Sequence, residues 1–455
     1  MPLSHIAPPE VLTSLRKHML IDGFDMVLDL EKSHGSWLID ATTGRSFVDF
    51  FSFFASVPVG MNHPRLTSGE TIQTLGRLAV NKPTNSDIYT VAMAEFVDTF
   101  FRVGVPSHFK YSFFVEGGSV AVENALKTAF DWKVRKNLAR GYTPEKGYPN
   151  GHGHQVIHFH GCFHGRTGYT LSLTDSPDPR KTQWFPRFEW PRVTTPAAVF
   201  PMEGANLEHT IALETQAIQE INAALDRNKD DIAALIIEPI QGEGGDNHFR
   251  PEFLAALRRL ADEREFLLIF DEVQTGMGIT GTFWAHEQLG VKPDVISFGK
   301  KTQVCGILAG PRVEENEQHV FNTSSRINST WGGNLIDMAR CRLYLEIIEE
   351  ESLIENARKQ GAHLLSELQK MAAELPDLVT NVRGRGLMCA FDLPAGDHRS
   401  QFMQKAWEEG VMILPCGTRS VRFRPALNID AETMGEGLTR VRRVLLAIDR
   451  MGGPL

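Results

Sequence analysis

The apolar run Phe266-Leu267-Leu268-Ile269-Phe270 ends abruptly in Asp271-Glu272-Val273-Gln274-Thr275-Gly276, and this stretch decides the fold. A continuous apolar run of that length, closed by a turn signal, is the pattern of a parallel strand buried on both faces. Such a strand delivers its terminal carboxylate to whatever lies beyond its end. A second short run, Val295-Ile296-Ser297-Phe298, is followed by Gly299-Lys300-Lys301. An acid and a lysine at the ends of successive strands suit a pyridoxal phosphate site, with the acid on a protonated pyridine nitrogen and a lysine for the Schiff base. Taken singly, each residue also reads blandly, as a helix-capping Asp and a surface Lys.

Outward from these two strands, strand and helix patterns alternate, which is the signature of an α/β architecture with a mostly parallel sheet. Further buried strands are expected at 111–115, 155–159 and 232–237, with helices at 119–138, 208–227, 251–263 and 334–350. Beyond a helix at 352–375, short strands at 385–392, 411–414 and 421–424 and a helix at 431–449 read as a smaller α+β unit. Residues 1–65, with strands near 26–30 and 36–40, are expected to join that small domain. This leaves 66–335 as the large domain and 336–455 as the C-terminal small domain. The stretch 141–153 reads as an exposed loop and 174–206 as a long irregular segment; so long a segment in a compact domain points to function or an interface.

A chain of 455 residues has room for more than one domain, and 42% hydrophobic with 23% charged residues is ordinary for a soluble protein. The net charge of −9 gives no electrostatic reason to expect nucleic acid as a partner. Five scattered cysteines without CxxC spacing argue for reduced thiols in a cytoplasmic enzyme, against a disulfide framework or a metal site. Met1–Pro9 carries no signal-peptide pattern, and no apolar run approaches the roughly 18 residues that would span a membrane.

Five segments carry chemistry, and their order matters more than any one of them. Val115-Glu116-Gly117-Gly118-Ser119-Val120-Ala121 is a strand, a glycine turn and a helix start, whose free N–H groups and dipole suit a phosphate. In Gly161-Cys162-Phe163-His164-Gly165-Arg166, an aromatic can stack on a planar cofactor and Arg166 can grip a carboxylate with its planar fork; His164 reads equally well as packing. Glu238-Pro239-Ile240-Gln241-Gly242-Glu243-Gly244-Gly245-Asp246 places Glu243 in a glycine-rich loop, where a solvated carboxylate is the plain alternative. The fourth segment is Asp271 and Gln274 with Lys300, and in the fifth, Ser329-Thr330-Trp331-Gly332-Gly333-Asn334, a hydroxyl precedes a glycine turn.

In this order the five segments resemble the class III pyridoxal-phosphate aminotransferases of fold type I, from Asp49-Phe50 and His63-Pro64 to Val421-Arg422-Phe423-Arg424-Pro425. Within that family the stretches 81–89, 114–118, 163–174 and 298–306 are most similar to the bacterial L-lysine ε-aminotransferases. The resemblance implies pyridoxal 5′-phosphate as cofactor and L-lysine, 2-oxoglutarate and L-glutamate as substrates and product. It implies Lys300 as Schiff-base lysine and proton shuttle, Asp271 on the pyridine nitrogen, and Phe163 and Val273 on the two ring faces. Gln274 would bond the phenolic oxygen, and Gly118, Ser119 and a Thr330 from the partner subunit of a homodimer would hold the phosphate. Arg166, Glu243, Arg422 and Asn328 would bind substrate.

Lysine presents its terminal amine and glutamate its α-amine, so one pocket must fit two carboxylate positions. From C6, lysine's carboxylate lies roughly 6–7 Å away along the chain. A pair matching Glu243 and Arg422 solves this in related enzymes: paired, they leave a neutral pocket for lysine, and apart, they free Arg422 for an α-carboxylate. Arg166 would serve the distal carboxylate. Val120 stands where many class III enzymes carry an acid, and the choice between Lys300 and Lys301 stays open from pattern alone. Phe54 stands where ornithine enzymes carry a Tyr, which lowers ornithine as a substrate. Another ω-aminotransferase, acting on ornithine, 4-aminobutyrate or a diamine, is the alternative, and an inactive binding protein of the same fold the remote one.

Overall fold

The computed structural model describes residues 6–451; the outermost parts of the two terminal segments, 1–5 and 452–455, lie outside the described residues. Seven strands form the central sheet: β1 (Tyr111–Val115), β2 (Gln155–Phe159), β3 (Arg192–Val193), β4 (Ile232–Ile237), β5 (Leu267–Asp271), β6 (Val295–Phe298) and β7 (Cys305–Ala309). Their order across the sheet is β1-β7-β6-β5-β4-β2-β3. Only β7 runs against its neighbours, and the other pairings are parallel.

Every residue of β4, β5 and β6 is buried, as continuous apolar runs with helices on both faces require. The helix Gly118–Ala139 covers one face, burying Ala121, Val122, Ala125, Leu126, Ala129 and Trp132, a helical spacing that makes one stripe. Because six of the seven strands point the same way, the loops after β1, β2, β4, β5 and β6 open at one edge of the sheet. That edge is where α/β proteins bind their ligands.

The expected strand at 266–270 is shifted by one residue, so Asp271 itself pairs in register with Ser297. Strands β3 and β7 were not expected: two residues are too few to pattern, and β7 follows the lysine pair directly.

At 385–392 the single expected strand is a hairpin, Thr380–Arg385 against Met388–Asp392. It extends through Ser420–Phe423 to Leu414–Cys416 as a four-stranded antiparallel sheet. The expected strand 411–414 also divides. Val411–Met412 pairs in parallel with Ser46–Asp49, while Leu414 starts a strand of the antiparallel sheet. One apolar run thus feeds two sheets, which its periodicity cannot reveal. Near 26–30 the structure has only a bridge from Leu28 to Asp40, whereas Trp37–Ile39 does pair, with Ser46–Asp49.

Candidate active site

Asp271 is buried at the end of β5, and three donors fix its carboxylate. His164 Nδ1 lies 2.8 Å from Oδ2, and Oδ1 accepts from Ser297 Oγ at 3.0 Å and from the Val273 N–H at 3.1 Å. Burial alone would make His164 harder to protonate. The adjacent Cys162 and the bond to Asp271 outweigh it and hold the imidazole well above its ordinary value. Its Nε2 is buried with no partner among the described residues. Below them Glu238 accepts from the N–H groups of Phe163 and Gly242 at 2.9 and 3.0 Å. Burial pushes its carboxyl up to about 7, with Asp271 adding and His164 opposing.

A cavity of about 260 Å³ opens over these groups, lined by Gly118, Ser119, Phe163, Glu243, Asp271, Val273, Gln274 and Lys300, with His164, Gly165 and Glu238. The loops after β1, β2, β4, β5 and β6 each contribute. Lys300 reaches it from a left-handed backbone at φ 54°, a conformation that costs a non-glycine residue about 1–2 kcal/mol and gathers at functional sites. Desolvation, with the cations of Arg422 and Arg424, brings its ammonium down to about 8. Lys301 turns the other way: its Nζ donates to Gln274 O at 2.6 Å and to Ala55 O at 3.4 Å, and it is buried. Lys300 therefore faces the cavity and Lys301 braces the wall behind it.

Close approach shapes the cavity wall at two glycines. A Cβ on Gly118 would stand 3.0 Å from Val273 Cγ1, and one on Gly165 (φ 121°) only 2.2 Å from Ser119 Oγ. That hydroxyl is held by Thr167 Oγ1 at 2.7 Å and Thr170 Oγ1 at 2.6 Å. Gln274 is oriented by Arg424, whose Nε donates to Oε1 at 2.9 Å while its two other nitrogens clasp Asp246.

Glu243 lies between two cations. Arg422 Nη2 is 3.4 Å from Glu243 Oε2, and Lys181 Nζ bonds Glu243 Oε1 more closely. Arg422 is buried, and its Nε and Nη1 have no partner among the described residues. Arg166, Asn328 and Thr330 are exposed and do not line this cavity; Asn328 borders a separate one with Asn85, Ser86 and Phe113. Glu238, Arg424 and Lys181 were missed from sequence. Glu238 had the same signal as Asp271, an acid directly after a buried strand; Lys181 had none.

The donor set fits pyridoxal 5′-phosphate: a lysine amine at the cavity wall, an anchored buried acid for the ring nitrogen, and a helix start kept open by glycine for the phosphate. Fold and site together define a pyridoxal-phosphate-dependent transferase of fold type I. Residues 22–445 match the class-III aminotransferase family, and the chain belongs to it. It is 50% identical over 439 residues to the L-lysine-epsilon aminotransferase of Mycobacterium tuberculosis, covering 96% of each chain. To that of Streptomyces clavuligerus it is 46% identical, covering 96% of this chain and 94% of the other. A solved structure of the lysine aminotransferase from M. tuberculosis, in the internal aldimine form, superposes with a TM-score of 0.93 at 50% identity, covering 97% of this chain and all (100%) of that one. Among the described residues no helix is long and apolar enough to cross a membrane.

Proposed function

We propose that this chain is an L-lysine 6-transaminase, moving the ε-amino group of L-lysine to 2-oxoglutarate to give 2-aminoadipate 6-semialdehyde and L-glutamate in two half-reactions. The relatives at 46–50% identity over nearly the whole chain support the donor. The observation in this chain that carries the reading is Arg422, a buried guanidinium beside Glu243 with two nitrogens that have no partner among the described residues. A buried cation left unpaired is costly, so this position asks for a second carboxylate.

When bound, pyridoxal phosphate supplies the electron sink that makes the substrate's C–H acidic. Asp271, fixed by His164 and Ser297, would accept from the pyridine N–H and keep the ring charged. Lys300, whose ammonium lies near 8, can release and retake a proton close to neutral pH; with the cofactor in place it would take the proton from C6 of lysine or Cα of glutamate and hand it to C4′ of the cofactor. Phe163 and Val273, both lining the cavity, would confine the ring, Gln274 would bond its phenolic oxygen, and Gly118 and Ser119 would hold the phosphate. Thr330 completes the phosphate site from the partner subunit of a homodimer; Asn328 and Arg166 bind substrate, Arg166 taking the distal carboxylate. Glu243 on Arg422 gives lysine a neutral chain pocket, and Glu243 withdrawn leaves Arg422 for the α-carboxylate of glutamate or 2-oxoglutarate.

Coupled assays with 2-oxoglutarate and lysine, ornithine or 4-aminobutyrate test the donor. Lysine is expected to dominate and to lose its amine from C6; dominance of another donor would overturn the assignment. In single half-turnovers Glu243→Ala should slow the lysine reaction more than the glutamate one, and equal losses would remove the switch.

A further inference from the structure

Glu243 has a partner that the two-state switch does not need. Lys181 ends a short 3-10 turn, Pro179–Lys181, capped by the side chain of Asp178, which accepts from the Arg180 N–H at 3.1 Å. From there its ammonium crosses to Glu243 Oε1 and lies 5.7 Å from the centre of the Phe163 ring. Lys181 and Glu243 keep about a fifth and a quarter of their side chains exposed, at 21% and 25%, whereas Arg422 keeps 4%.

We infer that Lys181 is a specificity-determining residue: it is the cation that receives Glu243 when the carboxylate leaves Arg422, and so it sets how readily the pocket accepts a dicarboxylate. This rests on the Glu243–Arg422 reading above. The geometry matches one setting of such a three-membered relay. Glu243 bonds Lys181 through Oε1 and lies 3.4 Å from Arg422 Nη2 through Oε2, and Nε and Nη1 of the buried Arg422 have no partner among the described residues. A carboxylate that swung away from Arg422 into water alone would gain only hydration. One that swings onto an ammonium already standing there exchanges one ion pair for another, so the two settings stay close in energy. Without Lys181, Glu243 should settle on Arg422 and neutralise the site that the α-carboxylate needs.

The test is Lys181→Met, which keeps the apolar stem against Phe163 and removes the charge, alone and with Glu243→Gln. Half-reactions are followed separately by the cofactor's absorbance. Lys181→Met is expected to raise the half-saturating concentration of 2-oxoglutarate by about two- to fivefold, the effect of losing one partly exposed ion pair (about 0.5–1 kcal/mol). That for lysine should change less than twofold. In the Glu243→Gln background the same substitution should change neither, and Lys181→Arg should restore the 2-oxoglutarate value. A loss shared equally by both substrates, or one that persists with Glu243→Gln, would overturn the inference and mark Lys181 as structural support. If Glu243→Gln shifts the ratio of the two substrates and Lys181→Met does not, only the Lys181 relay fails. If Glu243→Gln shifts nothing, the switch falls and the relay with it.

Discussion

Replacing Asp246 by Ala would leave a guanidinium unpaired in a place that water does not reach. Both side chains of the Asp246–Arg424 pair are 0% exposed. Arg424 Nη1 meets Asp246 Oδ2 at 2.8 Å and Nη2 meets Oδ1 at 2.5 Å, a two-pronged contact. At 2.8 Å the attraction is about 6 kcal/mol for an effective dielectric constant near 20, against which both groups have been stripped of water. Breaking such a pair from one side costs about 3–5 kcal/mol, a large part of the ~5–15 kcal/mol that holds a typical protein folded. The loss also reaches the site, because the same Arg424 holds Gln274 Oε1 at 2.9 Å. Urea unfolding of Asp246→Ala, read by circular dichroism and fluorescence, should show a cost in that range together with weaker cofactor retention. The double variant Asp246→Ala/Arg424→Met removes the orphaned charge and should recover much of the stability but not the cofactor affinity. A cost under about 1 kcal/mol for the single variant, or one that the double variant deepens, would refute the claim that this pair is sealed from water.

Two further outcomes follow from the cavity. Lys300 titrates near 8 in the folded chain against 10.5 for an ordinary lysine, so between these values the folded apoprotein binds fewer protons than the unfolded one. This group's contribution to apoprotein stability therefore rises with pH across that window. The rate of cofactor uptake should rise through about pH 8 and then level off; a midpoint near 10.5 would place the amine in bulk-like water. Gly165→Ala forces a methyl to within 2.2 Å of Ser119 Oγ on a backbone at φ 121°. It should destabilise the protein by about 1–3 kcal/mol and weaken phosphate binding, measured by titrating apoprotein with inorganic phosphate and with cofactor; unchanged affinities would show that the Ser119 hydroxyl does not shape that part of the cavity wall.

What could be read along the chain were features carried by local order. The buried strands ending at Asp271 and Phe298 were legible because a run of apolar residues closed by a polar one has no other comfortable place than a covered sheet. The long helix Gly118–Ala139 was legible from the glycine turn before it. The pairing of Val411–Met412 with Ser46–Asp49 was not, because strand partners far apart in sequence leave no mark in either segment. His164 stayed ambiguous for the same reason: only its 2.8 Å approach to Asp271, from a different strand's loop, distinguishes an anchor from packing.

The sequence by itself determined the strand-end chemistry: an acid, a lysine, a glycine-opened helix start and a loop glutamate in a fixed order. Local composition sets these, since each depends on residues a few positions apart. The tertiary structure decided which lysine faces the cavity. Adjacent residues can point oppositely, and only the folded surroundings give Lys301 its backbone acceptors at Gln274 and Ala55. It also decided that Glu243 has two cations to choose between, because Lys181 and Arg422 come from segments that meet only when the chain has folded.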